Sequence, residues 1–484
     1  MICSSALPEI GGLVAGKWLT RARAGKTFPV INPATGETLA DVPDMGADET
    51  RAAIDAAAEA MSRPPASSEA RAKWLARIAD LLVETKNDLA GVITQEQGKP
   101  LKESAGEVDY AAGFFRFFSK QLHHLAPHAL DQTIRDCRWT IHHRPAGVAA
   151  LITPWNFPLA MLAKKLSAAL GAGCAVVIKP ADLTPLSAMA LVHVCVRAGV
   201  PVGVVNLIVA KDPEPISQVF FDHPGVRVIS FTGSTRVGKL LIEGAAAKVK
   251  RLCLELGGNA PFIVFDDADV AAAADGLIAS KFRAAGQTCV CANRVYIHRA
   301  VERAFVEAVG ERVKKLKVGN GMEDGVEIGP LINRAGFEKV SRHVRDAVER
   351  GAKLVVGDDR PRQARDYGNF YPPTVLTGVT AEMVVCQEET FGPVVAIGTF
   401  DDESRVIDAA NATEYGLAAY VHTRDIARTQ RILPRLKFGH VAVNSGTGPT
   451  PEAPFGGMKQ SGFGREGGVE GLFDFCETQT TAVR

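Results

Sequence analysis

What this sequence lacks narrows it first. It has no excess of charge: 55 Lys and Arg stand against 54 Asp and Glu, a formal net charge of +1. A chain without a one-signed field has nothing to draw it onto nucleic acid or a membrane surface. No run approaches the ~18 consecutive apolar residues of a spanning helix, and the opening MICSSALPEI lacks the charged-then-apolar order of a signal peptide. The 11 histidines and 9 cysteines contain no His-Glu-x-x-His and no Cys-x-x-Cys, so no metal site is signalled. The cysteines are odd in number and scattered, which points to reduced thiols and a cytoplasmic setting. No internal repeat or low-complexity tract is present.

What is there is an ordinary globular composition, 46% hydrophobic and 23% charged over 484 residues, enough for two or three domains with their own cores. The phrase VINPATGETLADV reads as strand, turn, strand. Residues 48–98 are alanine-rich with Trp74, Ile78, Leu81 and Leu82 at helical spacing, so two or three helices are expected, and a further helix with a Phe-rich core face follows around 108–122. Residues 131–150 are rich in β-branched side chains and suggest strands. From Val148 short apolar runs (148–153, 175–179, 205–209, 226–232, 261–265) alternate with helix-length segments such as 159–170 and 185–198. That alternation predicts an α/β fold with a parallel, doubly wound sheet and ligands at the strand C-termini. A second α/β set starts near Leu256, and the C-terminal stretch ends in a short helix and a strand-like tail.

Two glycine patterns resemble nucleotide motifs. Gly462-Phe463-Gly464-Arg465-Glu466-Gly467 fits G-x-G-x-x-G, but too little chain follows for a βαβ unit, so it is rejected as a dinucleotide fingerprint. Gly233-Ser234-Thr235-Arg236-Val237-Gly238-Lys239 fits a P-loop except that Leu240 replaces the magnesium-binding hydroxyl. It follows a strand and opens a helix, so it suits phosphate binding at a helix N-terminus without nucleotide hydrolysis.

The stretch KFRAAGQTCVC places Cys289 and Cys291 on a Gly-Gln-Thr turn with Arg283 six residues ahead of Cys289. Taken alone it reads equally as an activated nucleophile or as a small buried thiol. Asn156 in TPWNFP follows a strand and can donate to a developing oxyanion, or cap a helix. Lys179 and Asp182 end the next strand, where they can bind ribose hydroxyls. Glu255 lies in the apolar run LCLELGG, where desolvation raises its pKa toward that of a base. Glu389 and Phe391 in EETFGP pair a carboxylate with a ring.

In this order, PWNFP, FTGSTRVG, ELGG, GQTC and EETFGP resemble the NAD(P)-dependent aldehyde dehydrogenase superfamily over nearly the whole chain. The resemblance implies Cys289 as nucleophile, Glu255 as base, and Asn156 with the Cys289 N–H as oxyanion hole. It implies NAD or NADP held by Thr153, Trp155, Lys179, Asp182, Gly233, Ser234, Leu256, Glu389 and Phe391. Lys165 and Glu477 resemble the family's proton-relay pair. The implied architecture is a dinucleotide-binding domain (1–123 and 143–255), a catalytic domain (256–445) and a β oligomerisation flap (124–142 and 446–484), in a homodimer or homotetramer. Within the family, KFRAAGQTCVCANR is similar to succinate-semialdehyde dehydrogenases, in which an arginine at the place of Arg283 grips the distal carboxylate. Here Lys164 replaces a second arginine and Pro449 a serine, so glutarate semialdehyde or another aldehyde is the alternative substrate. Cys291 is a candidate redox switch through a disulfide with Cys289. Asp182 repels a 2′-phosphate and favours NAD.

Overall fold

The computed structural model describes residues 7–131, 134–359 and 368–484. Two sheets carry the fold. The first has eight strands in the order Lys17–Leu19, Gly12–Val14, Val205–Leu207, Val176–Lys179, Val148–Ile152, Val226–Thr232, Arg251–Glu255 and Gly462–Phe463. The five central strands run parallel, while those at either edge are antiparallel. Chain order runs outward from Val148–Ile152 in one direction and from Val226–Thr232 in the other. The strand order therefore reverses between these two, and a crevice opens there at their C-terminal ends. Thr153–Pro158 leaves one side of it, and Gly233 and Ser234 leave the other.

The flanking helices follow from local signals. Pro158 starts the helix Pro158–Ala172 at a position that needs no N–H, and Gly173 ends it with φ 93°. All but one residue of this Ala- and Leu-rich helix is buried, Lys164 and Lys165 included. Helix Thr235–Ala246 is capped by the Ser234 hydroxyl, which accepts from the Val237 N–H at 3.3 Å. The Phe-rich face of helix Leu101–Ser119 buries Phe114, Phe115 and Phe118, as its spacing predicts.

The second sheet orders Lys353–Val356, Thr374–Thr377, Val394–Phe400, Ala292–His298, Ala260–Val264, Ala418–His422 and His440–Val443. All its pairings are parallel but the first. A third, three-stranded sheet joins Cys476–Val483, Arg138–Pro145 and His128–Ala129. The rest of 446–484 does not belong to that flap. Residues 446–450 line the central cavity, and Gly462–Phe463 closes the edge of the first sheet beside Glu255. A Cβ on Gly462 would meet the Leu254 carbonyl oxygen at 1.9 Å, so the close approach requires glycine. Among the described residues no helix is long and apolar enough to cross a membrane.

Candidate active site

The cysteine loop is built on strained backbone. After helix Val270–Lys281, Ala284, Ala285 and Gly286 take φ of 49°, 55° and 75°, three left-handed residues in succession. Two of them carry a Cβ, so the conformation must be held from outside. The Ala284 N–H donates to Glu103 at 2.7 Å, and a Cβ on Gly286 would lie 2.2 Å from the Gly392 carbonyl oxygen. Gln287 is pinned through its Nε2 to the Ala284 carbonyl and through its Oε1 to the Ile332 N–H. Its own carbonyl accepts from Asn156 Nδ2 at 2.9 Å. That bond joins the two sheets' loops and leaves the second Asn156 N–H free for another oxygen. The Cys289 N–H makes no hydrogen bond among the described residues. Two donors thus remain unengaged among residues that line one cavity.

A cavity of about 930 Å³ runs between the domains and is lined by Cys289, Asn156, Glu255, Trp155, Gly233, Ser234, Leu256, Glu389, Phe391, Lys164 and Arg283. Cys289 is half-buried and lines this cavity. Burial pushes its thiol up to about 12, Glu389 adds to the rise, and Lys164 opposes it. Glu255 is buried, and neither carboxylate oxygen has a hydrogen-bond partner. Its pKa is raised well above the carboxylate range, first by burial and then by the neighbouring charge of Glu466.

Glu466 completes a network that sequence reading overlooked. Its Oε1 accepts from Lys165 Nζ, and its Oε2 lies 3.7 Å from Lys164 Nζ. Burial alone would raise its pKa, but the two lysines outweigh burial and lower it. The two carboxylates are therefore pushed in opposite directions, Glu255 toward its protonated form and Glu466 toward its charged one, an asymmetry suited to moving one proton. Lys165 does not meet Glu477, the partner expected for it. Glu477 lies on the flap strand Cys476–Val483 and pairs with Arg251 at 3.1 Å, while Lys165 points inward from a buried helix.

The dinucleotide candidates surround the crevice. Gly233, Ser234, Trp155, Leu256, Glu389 and Phe391 line the cavity, whereas Thr153, Lys179 and Asp182 lie at the open strand mouths beyond it. Thr153 Oγ1 and Thr232 Oγ1 are buried without a partner, hydroxyls that a polar ligand would satisfy. Phe391, at φ 56°, meets Trp155 edge-to-face at 5.5 Å. Glu389 accepts from the Gly258 N–H at 3.2 Å, and burial raises its pKa to about 7. Lys339 Nζ donates to the Glu389 carbonyl at 2.6 Å and steadies the segment. The capped helix terminus, unpaired hydroxyls and carboxylates together fit a nicotinamide dinucleotide.

Residues 18–481 match the model of the aldehyde dehydrogenase family. The chain belongs to that family. It is 47% identical over 472 residues to a succinate-semialdehyde dehydrogenase of Escherichia coli named for NADP(+), covering 97% of each chain. It is 46% identical to a 3-sulfolactaldehyde dehydrogenase of Pseudomonas putida, covering 96% of this chain and 95% of the other. An oxidoreductase structure from Marinobacter aquaeolei superposes with a TM-score of 0.98 at 52% identity, covering both chains fully.

In this aldehyde dehydrogenase the two candidate anion anchors are not equivalent. Arg283 is exposed to the cavity, forms no ion pair among the described residues, and lies 5.3 Å from the Phe157 ring. Lys164 is buried against Tyr110, Phe114 and Phe455 and faces Glu466, so much of its charge is already answered. Cys291 is buried outside the cavity lining, with its thiol donating to the Gly286 carbonyl at 3.3 Å and Lys281 Nζ 3.7 Å away.

Proposed function

We propose that this enzyme oxidises an aldehyde bearing an acid group at its far end, with succinate semialdehyde as the leading substrate, to the carboxylic acid. The observation that carries this reading is an unpaired Arg283 opening onto the cavity that holds Cys289. A guanidinium offers a fixed fork to a carboxylate, and both curated relatives are named for aldehydes with an acid group at the other end. Because Lys164 is committed to Glu466, a single fork rather than two would hold the distal anion. That favours glutarate semialdehyde as the second candidate, since one anchor constrains chain length less than two. Arg283→Met is expected to lower kcat/KM for succinate semialdehyde by about 10²-fold, the scale of a charged hydrogen-bonded pair broken at one end. An uncharged aldehyde of equal length should be little affected. Equal losses on both aldehydes refute carboxylate recognition.

In the proposed chemistry Cys289 attacks the aldehyde carbon as a thiolate, and the electron pair of the carbonyl moves to oxygen. Asn156 Nδ2 and the Cys289 N–H hold that oxyanion. When bound, the nicotinamide of NAD or NADP supplies the acceptor for the hydride lost by this carbon. The cysteine is left as a thioester. Glu255 takes a proton from water, which displaces the Cys289 sulfur and yields the acid. Glu466, with Lys164 and Lys165, would carry that proton onward. Thr153, Trp155, Lys179, Asp182, Gly233, Ser234, Leu256, Glu389 and Phe391 would hold the dinucleotide.

Asp182 supports a preference for NAD, because its charge acts on Lys179 at the ribose end and would repel a 2′-phosphate. Asp182→Ser should shift the kcat/KM ratio toward NADP by about tenfold, the equivalent of about 1.4 kcal/mol. A wild-type enzyme with a lower KM for NADP than for NAD would overturn this preference. The eight-residue flap strand Cys476–Val483 has an unpaired outer edge, which suits assembly into a homodimer or homotetramer. A cytoplasmic setting accords with described cysteines that are all free. A disulfide between Cys289 and Cys291 would have to release Cys291 from Gly286 and Lys281 first.

A further inference from the structure

Helix Leu101–Ser119 presents Glu103 and Glu107 one turn apart, and each carboxylate holds a different catalytic loop. Glu103 accepts from the Ala284 N–H of the cysteine turn. Glu107 Oε1 accepts from the Leu159 and Ala160 N–H groups at 2.9 and 3.1 Å, the free donors in the first turn of helix Pro158–Ala172. Its other oxygen takes a hydrogen bond from Lys99 Nζ, and both side chains of this pair are 0% exposed. Lys99 does not stop there. The same Nζ donates to the Asn156 carbonyl at 2.7 Å and lies 3.6 Å from the Phe157 ring centroid.

A buried ion pair is weak evidence for stability, because desolvation offsets most of its attraction. What distinguishes this one is its third bond. It fixes the carbonyl of the residue whose side chain faces the nucleophile, and so limits rotation of the 156–157 peptide. With that peptide held and one Asn156 N–H on the Gln287 carbonyl, the remaining N–H has a single direction left.

We propose that Lys99, anchored by Glu107, is a positioning residue for the oxyanion hole: it acts on the reaction only through Asn156. The inference rests on reading Asn156 as the oxyanion donor and Cys289 as the nucleophile.

The test compares wild type, N156A, K99M and the double variant K99M/N156A in the full-length enzyme. It measures kcat and KM for the aldehyde, and the rate at which iodoacetamide alkylates Cys289, a displacement that builds no oxyanion. K99M should lower kcat by about tenfold to a hundredfold, the scale of a misplaced catalytic group. KM and the alkylation rate should hold. Added to N156A, K99M should cost nothing further, because Lys99 acts only through the donor that N156A has already removed. K99M leaves Glu107 without its cation, so if that variant does not fold, K99M/E107Q carries the same expectation with no buried charge unpaired. Multiplying losses in the double variant, alkylation falling in step with kcat, or normal kcat in folded K99M or K99M/E107Q would overturn the inference. Normal turnover in N156A would instead overturn the oxyanion reading on which it rests.

Discussion

Cys289→Ala should abolish aldehyde oxidation, with kcat lower by about 10⁶-fold, the scale seen when a covalent nucleophile is removed. Among the described residues no other thiol lines the cavity. Cys291 is buried outside the cavity lining, with its thiol on the Gly286 carbonyl. The substitution removes one half-buried sulfur and leaves the backbone of the strained turn in place, since that turn is held through Ala284, Gly286 and Gln287. Dinucleotide affinity, measured by fluorescence titration, should therefore persist, because the groups proposed to hold it stand on other strands and loops. Undiminished turnover in the variant sinks the assignment of the nucleophile. Loss of both turnover and dinucleotide binding would point to collapse of the loop instead.

Glu255→Gln should separate the two halves of the reaction. The thioester would form at a rate near that of wild type and then wait, so mixing should give a burst of NADH close to one per site before a slow steady state. Removing a general base costs about 10²–10⁴-fold, and here the loss should fall on kcat. The change is nearly isosteric and breaks no hydrogen bond, since both carboxylate oxygens are unpartnered. The sign of the pH dependence follows from the raised pKa of Glu255. The base is active only without its proton, so wild-type deacylation should climb as pH rises through that raised pKa, and the variant should lose that dependence. Full kcat with no burst would remove Glu255 from the mechanism.

The proposed nucleophile, base and oxyanion donor stand out in the sequence because each follows a strand or turn whose chemistry is local. Cys289 follows the turn Gly286-Gln287-Thr288, Asn156 follows an apolar run, and Glu255 lies within one. Helices such as Leu101–Ser119 are equally plain from spacing. The misreadings concern partners far apart in the chain. Glu466 answers Lys164 and Lys165 across some three hundred residues, and nothing near Glu466 marks it above Glu477. Lys99, beside a proline, reads as an ordinary surface lysine until the fold buries it. The strands Thr374–Thr377 and Ala418–His422 also escape the sequence reading, because short buried apolar runs have no periodicity that separates strand from helix.

The edge strand Gly462–Phe463 sets an order in time. It pairs with Leu254 and Glu255, and the neighbouring Glu466 tunes that base, yet both lie some two hundred residues further along the chain. Chains fold from the N-terminus as they emerge. The cysteine turn and the amide of Asn156 can both emerge before Glu466 does, but the proton network cannot form without it. A nascent chain therefore holds Glu255 and Cys289 before it holds Glu466, and the base is tuned only once that residue has emerged and docked.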